Sequence, residues 1–408
     1  MNILLINHYA GSQTYGMEYR AYYLAKEWVK LGHQVTIVAA TYSHLRLKNP
    51  TVEKDYQIEM IDGIKYIWLK TPPYKGSLKR ILNMVTFVYK VRKNAKRLSR
   101  EEKPNLVIAG SCYPLDNYVA HKIAKLSGAK YTYEVRDIWP LSPKLIGGYS
   151  DHHPFIWVMQ KAEDYAYKHV DKVVSLLWNS EEHMLERGLP KGKFVCVPNG
   201  YYPEEWIDDK FNLPLPKEHQ KAFEALKGKT IVGFAGGFAA SGSLLTLVKA
   251  ADILKTQNWI HFVLVGRGPE ETVLRQYVAD NNLDNVSILP AVPKSLIPSI
   301  NSRFDIAYYG GIHSELHKYG TSANKLTDYM LSSKPIVQAI DEPGSVVEQI
   351  NCGIRVEAEN PQESAKAIIM LADMSPQERC IIGERGKNYA INNLKWSYLA
   401  DKFLVSMN

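Results

Sequence analysis

The chain predicts an α/β protein built as two successive Rossmann-like domains, and three features of the sequence lead there. It opens on strand, loop, helix and strand; the same alternation begins afresh near Thr230; and a Pro- and Lys-rich stretch separates the two series. Residues 2–7 are a short apolar run, hence a central buried strand. Residues 8–16 form a loop, 17–31 a helix closed by Gly32, and 34–39 the next strand. Further strands are expected at 64–69, 106–109, 130–135, 172–175 and 194–197. The connection runs from Asn199 to Lys229. Strands then follow at 230–235, 261–265, 286–289, 304–309 and 335–339, with helices from Ser243 and Pro269. The first loop lacks G-x-G-x-x-G, which argues against a dinucleotide oxidoreductase.

Length and composition agree. At 408 residues, 46% hydrophobic and 23% charged, the chain can bury two ordinary cores and is not a disordered sequence. A net charge of +8 points to an anionic partner: a nucleotide, a lipid headgroup or nucleic acid. Cys112, Cys196, Cys352 and Cys380 are widely spaced without a C-x-x-C pair, so neither a zinc site nor a disulfide framework is expected. The start has no basic n-region, and no run reaches the roughly 20 apolar residues of a membrane span. A cytosolic protein is the expectation.

The most informative stretch runs from Tyr319 to Met330. Gly320 supplies a loop, Thr321 or Ser322 a cap, and Leu326, Tyr329 and Met330 recur at helical spacing. A helix starting near Ser322 directs unpaired backbone N–H groups and a positive dipole end toward the crevice above a parallel sheet. Lys325 adds a charge one turn in, and Asp328 can accept from a pair of hydroxyls. That combination suits a ligand with a diphosphate and a ribose; read blandly, the two residues are an exposed pair on an amphipathic helix. Ser322 to Lys325 also fits S-x-x-K, but the accompanying S-D-N and K-T-G elements are missing.

The segment, with Lys334-Pro335-Ile336-Val337 after it, resembles the donor-site helix of GT-B glycosyltransferases of family GT4. Within them it is most similar to a Y-G-x-S-x-N-K-L-x-[DE]-Y-M branch that includes L-fucosamine (FucNAc) transferases of O-antigen and capsule assembly. The resemblance implies a GT-B fold, two Rossmann-like domains facing across a cleft, with residues 1–205 binding acceptor and 206–390 binding the nucleotide sugar. Residues 391–408 are then a helix crossing back to the first domain. It implies donor contacts from Ser322, Asn324, Lys325 and Leu326, and a ribose contact from Asp328. The E-x7-E pattern common in the family would place a second acid at Gly320, where there is none.

Other motifs fall into place around this one. Gly236 and Gly237 belong to the glycine turn that follows the first strand of the second domain, where glycines allow a phosphate to approach the backbone or simply make a tight turn. Family members often have basic residues just after this turn; here residues 238–243 hold none, leaving Lys325 and Arg267 to neutralise the diphosphate. Ala291 and Val292 resemble the loop that holds uracil. Arg136 and Asp137 stand at a strand's carboxyl end beside Trp139-Pro140, a place for acceptor binding or chemistry. Gly16, Glu18 and Arg20 become acceptor candidates through the resemblance alone. Where many members carry a His after the fourth strand, this chain has Gly110 to Pro114; His8 could stand in, but it reads better as an ordinary polar loop histidine. No D-x-D occurs, so a metal-free site is expected, with the helix terminus and Lys325 in place of a cation.

The basic segment from Lys75 to Arg100 has no acidic residue, and Leu78, Ile81, Leu82, Val85, Val88 and Tyr89 form an apolar stripe along it. Such a helix can lie on an anionic membrane. The expected partners are a UDP-sugar, a polyprenyl-diphosphate-linked acceptor and the inner face of the cytoplasmic membrane, not nucleic acid. The rival readings are a UDP-GlcNAc 2-epimerase-like enzyme and a non-catalytic nucleotide-sugar-binding partner.

Overall fold

The computed structural model describes residues 1–407. Contacts divide the chain into a unit formed by Met1–Asn199 with the segment from Trp396 onward, and a second unit, Gly200–Lys395. Residues 200–205 lie with the second unit: the Tyr201 amide donates to the Leu394 carbonyl at 2.9 Å.

The first unit holds β1 (Asn2–Ile6), β2 (Gln34–Ala40), β3 (Gln57–Ile61), β4 (Ile64–Leu69), β5 (Leu106–Ala109), β6 (Lys130–Val135), β7 (Lys172–Ser175) and β8 (Phe194–Cys196). They form one sheet in the order β3-β4-β2-β1-β5-β6-β7-β8. Every pairing is parallel except β3 with β4. Strands covered on both faces need continuous apolar runs, and β1 and β5 supply them: Ile3 to Ile6 and Leu106 to Ala109 are all buried. The apolar runs of the sequence do not include β3, an edge strand whose residues alternate between partly covered and exposed before Ile61.

The Trp396–Val405 helix belongs to this unit. The Trp28 indole N–H donates to the Ala400 carbonyl at 3.0 Å, and the Trp28 ring meets Phe403 edge-on at 5.2 Å. The basic segment is two helices, Ser77–Lys93 and Ala95–Glu102, parted at Asn94.

The second unit contains β9 (Thr230–Gly237), β10 (Ile260–Arg267), β11 (Val286–Leu289), β12 (Ile306–Gly310), β13 (Ile336–Ala339) and β14 (Gly353–Val356), ordered β11-β10-β9-β12-β13-β14 and all parallel. Apolar clusters cover both faces of the sheet. In each sheet the strand order reverses beside the unit's first strand, at β1/β5 and at β9/β12. A crevice opens at such a reversal, beyond the carboxyl ends of the strands.

Candidate functional site

In the second unit the site is built on the reversal at β9/β12. Leu326, Tyr329 and Met330 anchor the Asn324–Leu331 helix in the core, while Lys325 and Asp328 remain half-buried. The helix begins two residues later than expected. Its N-cap is Ala323, with no side-chain cap, so neither Thr321 nor Ser322 plays that part. Thr321 turns instead to Glu342, whose carboxylate accepts from the Thr321 amide at 2.9 Å and hydroxyl at 2.7 Å. Glu342 is buried and also accepts from Gln338 Nε2 at 3.0 Å. A carboxylate from beyond β13 therefore holds the loop that Gly320 shapes, though Gly320 itself provides no acid.

Lys325 lies across Gly236. A Cβ added at Gly236 would sit 2.1 Å from Lys325 Cε, and the backbone there has φ of 151°. Glycine at this position is what lets the lysine reach the end of β9. Its Nζ is 5.4 Å from the centre of the Phe234 ring, a cation–π contact. Burial lowers the Lys325 pKa, and Asp328 works against that shift. Gly237 and Arg267 are paired in register at the ends of β9 and β10, both exposed. Ala291 and Val292 follow β11, in a loop tied down where His219 Nε2 meets the Pro290 carbonyl at 2.9 Å. Gly236, Gly237, Arg267, Ala291 and Val292 thus line the carboxyl ends of three adjacent strands. Ser322 and Asn324 stand at the helix entrance. Leu326 gives its side chain to the core, leaving only its backbone for a ligand.

Asp328, three residues on from Lys325, lines a cavity of about 220 Å³ walled by Glu205, Trp206, Lys294 and Pro298 among others. Burial pushes its carboxyl up to about 7, although Lys294 and Lys325 both pull it down; Glu205 adds to the rise. Trp206, Lys294 and Glu205 had no motif to announce them. The cues were a lone tryptophan in the connection and one lysine two residues past Val292.

In the first unit, Glu18 and Arg136 form an ion pair. Burial lowers the Arg136 pKa, but Glu18, Cys112 and Glu134 together outweigh it and the net shift is upward. Arg136 Nε and Nη1 are buried without a protein partner. Arg20 is elsewhere engaged: it donates to Glu134 at 2.9 Å and to the carbonyls of Pro198 and Val197, each at 2.8 Å. At 4% exposure it lies in the interior, not on an open first turn. Gly16 takes φ of 69° against Leu47, which makes it a turn former. Asp137 sits on an exposed bend, with Ser142 Oγ at 3.5 Å. His8 is fully buried; its Nδ1 is 2.6 Å from the Tyr113 hydroxyl, and Nε2 has no partner. Of the acceptor candidates Gly16, Glu18, Arg20, Arg136 and Asp137, Glu18 and Arg136 are brought into an ion pair with each other, while Arg20 pairs with Glu134 instead.

Known proteins share both halves. Residues 15–200 match the glycosyl transferase 4-like domain, and residues 229–374 match the glycosyl transferases group 1 family. Among solved structures, Anabaena HepE in complex with UDP and glucose superposes with a TM-score of 0.67 at 15% identity, covering 100% of this chain and 99% of HepE. Sucrose-phosphate synthase from Thermosynechococcus elongatus gives 0.70 at 16% identity, with 99% and 97% covered. A curated relative, one of the subunits of the Arabidopsis thaliana phosphatidylinositol N-acetylglucosaminyltransferase, is 20% identical over 304 residues, 74% of this chain. The match spans about 60% of that relative's length. With a glycosyltransferase domain in each half and the two-sheet architecture of these structures, the chain is a glycosyltransferase of the GT-B fold.

Proposed function

We propose that this enzyme moves a sugar from UDP to a lipid-diphosphate-linked saccharide, as in O-antigen or capsule assembly, with L-FucNAc or another N-acetylamino sugar as the unit transferred. The observation that carries the donor half is the passage of Lys325 over Gly236 beside a half-buried Asp328. A cation held at a helix entrance stabilises the diphosphate that leaves, and the carboxylate accepts from the ribose hydroxyls. Arg267 assists from the end of β10. The UDP in the HepE complexes and the N-acetylglucosaminyl and lipid terms in the plant relative's name support this choice of substrates.

For a retaining reaction the donor's own phosphate oxygen removes the acceptor proton, and no metal takes part. Arg136, with two guanidinium nitrogens lacking partners, is the acceptor-side cation; Glu18 positions it, and Asp137 lies beside it. Arg20 supports this region through Glu134 without meeting the acceptor.

The Ser77–Lys93 helix supports work at the inner face of an anionic membrane. Its inner side is Met84, Phe87 and Val91, while Leu78, Leu82, Val85 and Tyr89 are exposed among Lys79, Arg92 and Lys93. The deciding experiment incubates the enzyme with a panel of UDP-sugars and lipid-diphosphate-saccharide acceptors and reads product mass. A product heavier than its acceptor by one N-acetylamino sugar is expected. Epimerised UDP-sugar without any acceptor would overturn the reading, as would the absence of turnover across the panel.

A further inference from the structure

We propose that Trp206 is the wall of the nucleoside pocket, held there by an ion pair between Glu205 and Lys294, and that it sets donor affinity by covering the uridine ring system. The inference rests on the donor reading above and adds to it a segment, residues 200–211, that the glycine loops and the Asn324–Leu331 helix do not include.

The cavity beside Asp328 has an indole, Ile297 and Pro298 as apolar walls; its polar lining is the carboxylate, Glu204, Lys210, Ser295 and the Lys294–Glu205 pair. At about 220 Å³ it falls below the roughly 300–1,000 Å³ of sites that enclose a whole drug-sized ligand. It therefore takes one ring system with a diol toward Asp328, and the diphosphate and sugar stay outside, on the side of Lys325 and Gly236.

Several contacts join the segment that carries the wall to the body of the second unit. Lys294 Nζ lies 2.8 Å from Glu205 Oε2, tying the segment to the loop that follows β11. Phe211 stands 6.0 Å from the Trp206 ring. Farther on, Ser299 and Ser302 donate to the carbonyls of Leu213 and Phe211 at 2.7 and 3.3 Å. A rigid aromatic wall covers a planar or pentose ring with little loss of conformational freedom on binding.

Uridine, UMP and UDP are titrated into the full-length protein and its variants, with calorimetry as readout. Trp206→Ala should weaken all three by about tenfold, the scale of one aromatic–base contact. Trp206→Phe should restore most of the loss, and Lys325→Ala should weaken UDP while sparing uridine. In the wild type, uridine should quench part of the intrinsic fluorescence, and that part should vanish in Trp206→Phe, which answers the question even if the alanine variant folds poorly. Unchanged uridine affinity in Trp206→Ala, with a loss in Asp328→Ala, overturns the wall and keeps the donor site. Loss in none of the Trp206, Asp328 and Lys325 variants removes the donor reading as well.

Discussion

At Asp328 the charge needed for binding and the charge tolerated by folding pull in opposite directions. A carboxylate accepts from a ribose diol, yet burial holds this group near 7, above an ordinary aspartate. The folded protein therefore keeps a proton there that the unfolded chain has released, so this group's contribution to stability falls as pH rises from about 4 to 7. Two outcomes follow for Asp328→Asn. Above pH 8 the variant should melt higher than wild type, by roughly 1 kcal/mol or more in stability, whereas at pH 4 the two should melt alike. Donor affinity of the wild type should rise between pH 6 and 8, with Lys294, Lys325 and Glu205 as the charges facing the group, and the variant's weaker affinity should stay flat. A flat wild-type profile would remove the assigned titration. Lys325→Ala acts on the other step: kcat should drop by about 2–4 kcal/mol in barrier terms with a smaller change in KM, because the stabilised charge grows as the bond breaks. Gly236→Ala should approach the same loss. Its Cβ would meet Lys325 Cε at 2.1 Å and displace the amine, so a fully active Gly236→Ala would show that the lysine is not needed where it lies.

Elements differ in how openly they declare themselves in sequence. The strands read off as apolar runs are chiefly those buried on both faces, and β4, β5, β6 and β7 have the bounds that their runs suggest. The edges β3 and β14 are half-exposed and carry no such run. A cue for β3 was nonetheless present: Asp62-Gly63 is a two-residue hairpin turn, with φ of 50° and 79°, and it pairs Ile61 with Ile64. The site is similar. Glycine and lysine at strand and helix ends were legible because few residue types can do their work, whereas Glu342 and Trp206 arrive from distant segments that only the fold brings in. The Ser77–Lys93 helix shows what a one-dimensional pattern leaves open. Its apolar residues form two faces, one filled by the core and one bare at Leu78, where exposure is 84%. Lys90 reaches Asp55 at 3.0 Å, so it serves the fold in part, and the charges to reverse are Lys79 and Lys93 on this helix and Lys96 on the next, all exposed. Wild type should sediment with vesicles containing anionic lipid and release as salt rises, each basic residue near the surface contributing about 1 kcal/mol. The triple Glu variant should remain in the supernatant while still using a water-soluble acceptor. Equal sedimentation of both would clear this helix of the role.

On the scale of the whole chain, the first unit is discontinuous: residues 1–199 are completed only by the segment from Trp396 onward. That helix buries Trp396, Leu399, Phe403 and Leu404. At about 1.5–3 kcal/mol for each large apolar side chain, the four together contribute about 6–12 kcal/mol. The entire stability of a domain is about 5–15 kcal/mol. The first unit should therefore be unable to finish folding until the Trp396–Val405 helix has been synthesised, whereas the second, with apolar clusters drawn only from its own residues, lacks that dependence. Expressed alone, residues 200–395 should melt cooperatively, and residues 1–199 should be protease-sensitive without a cooperative transition. Joining residues 396–408 to the shorter fragment through a flexible linker should restore one. Phe403→Ala in the full chain is the milder probe: it leaves a cavity against Trp28 and should cost about 3–5 kcal/mol, confined to the transition of the first unit. A sharp melt from residues 1–199 alone would mean that the final helix decorates the first domain without holding it together.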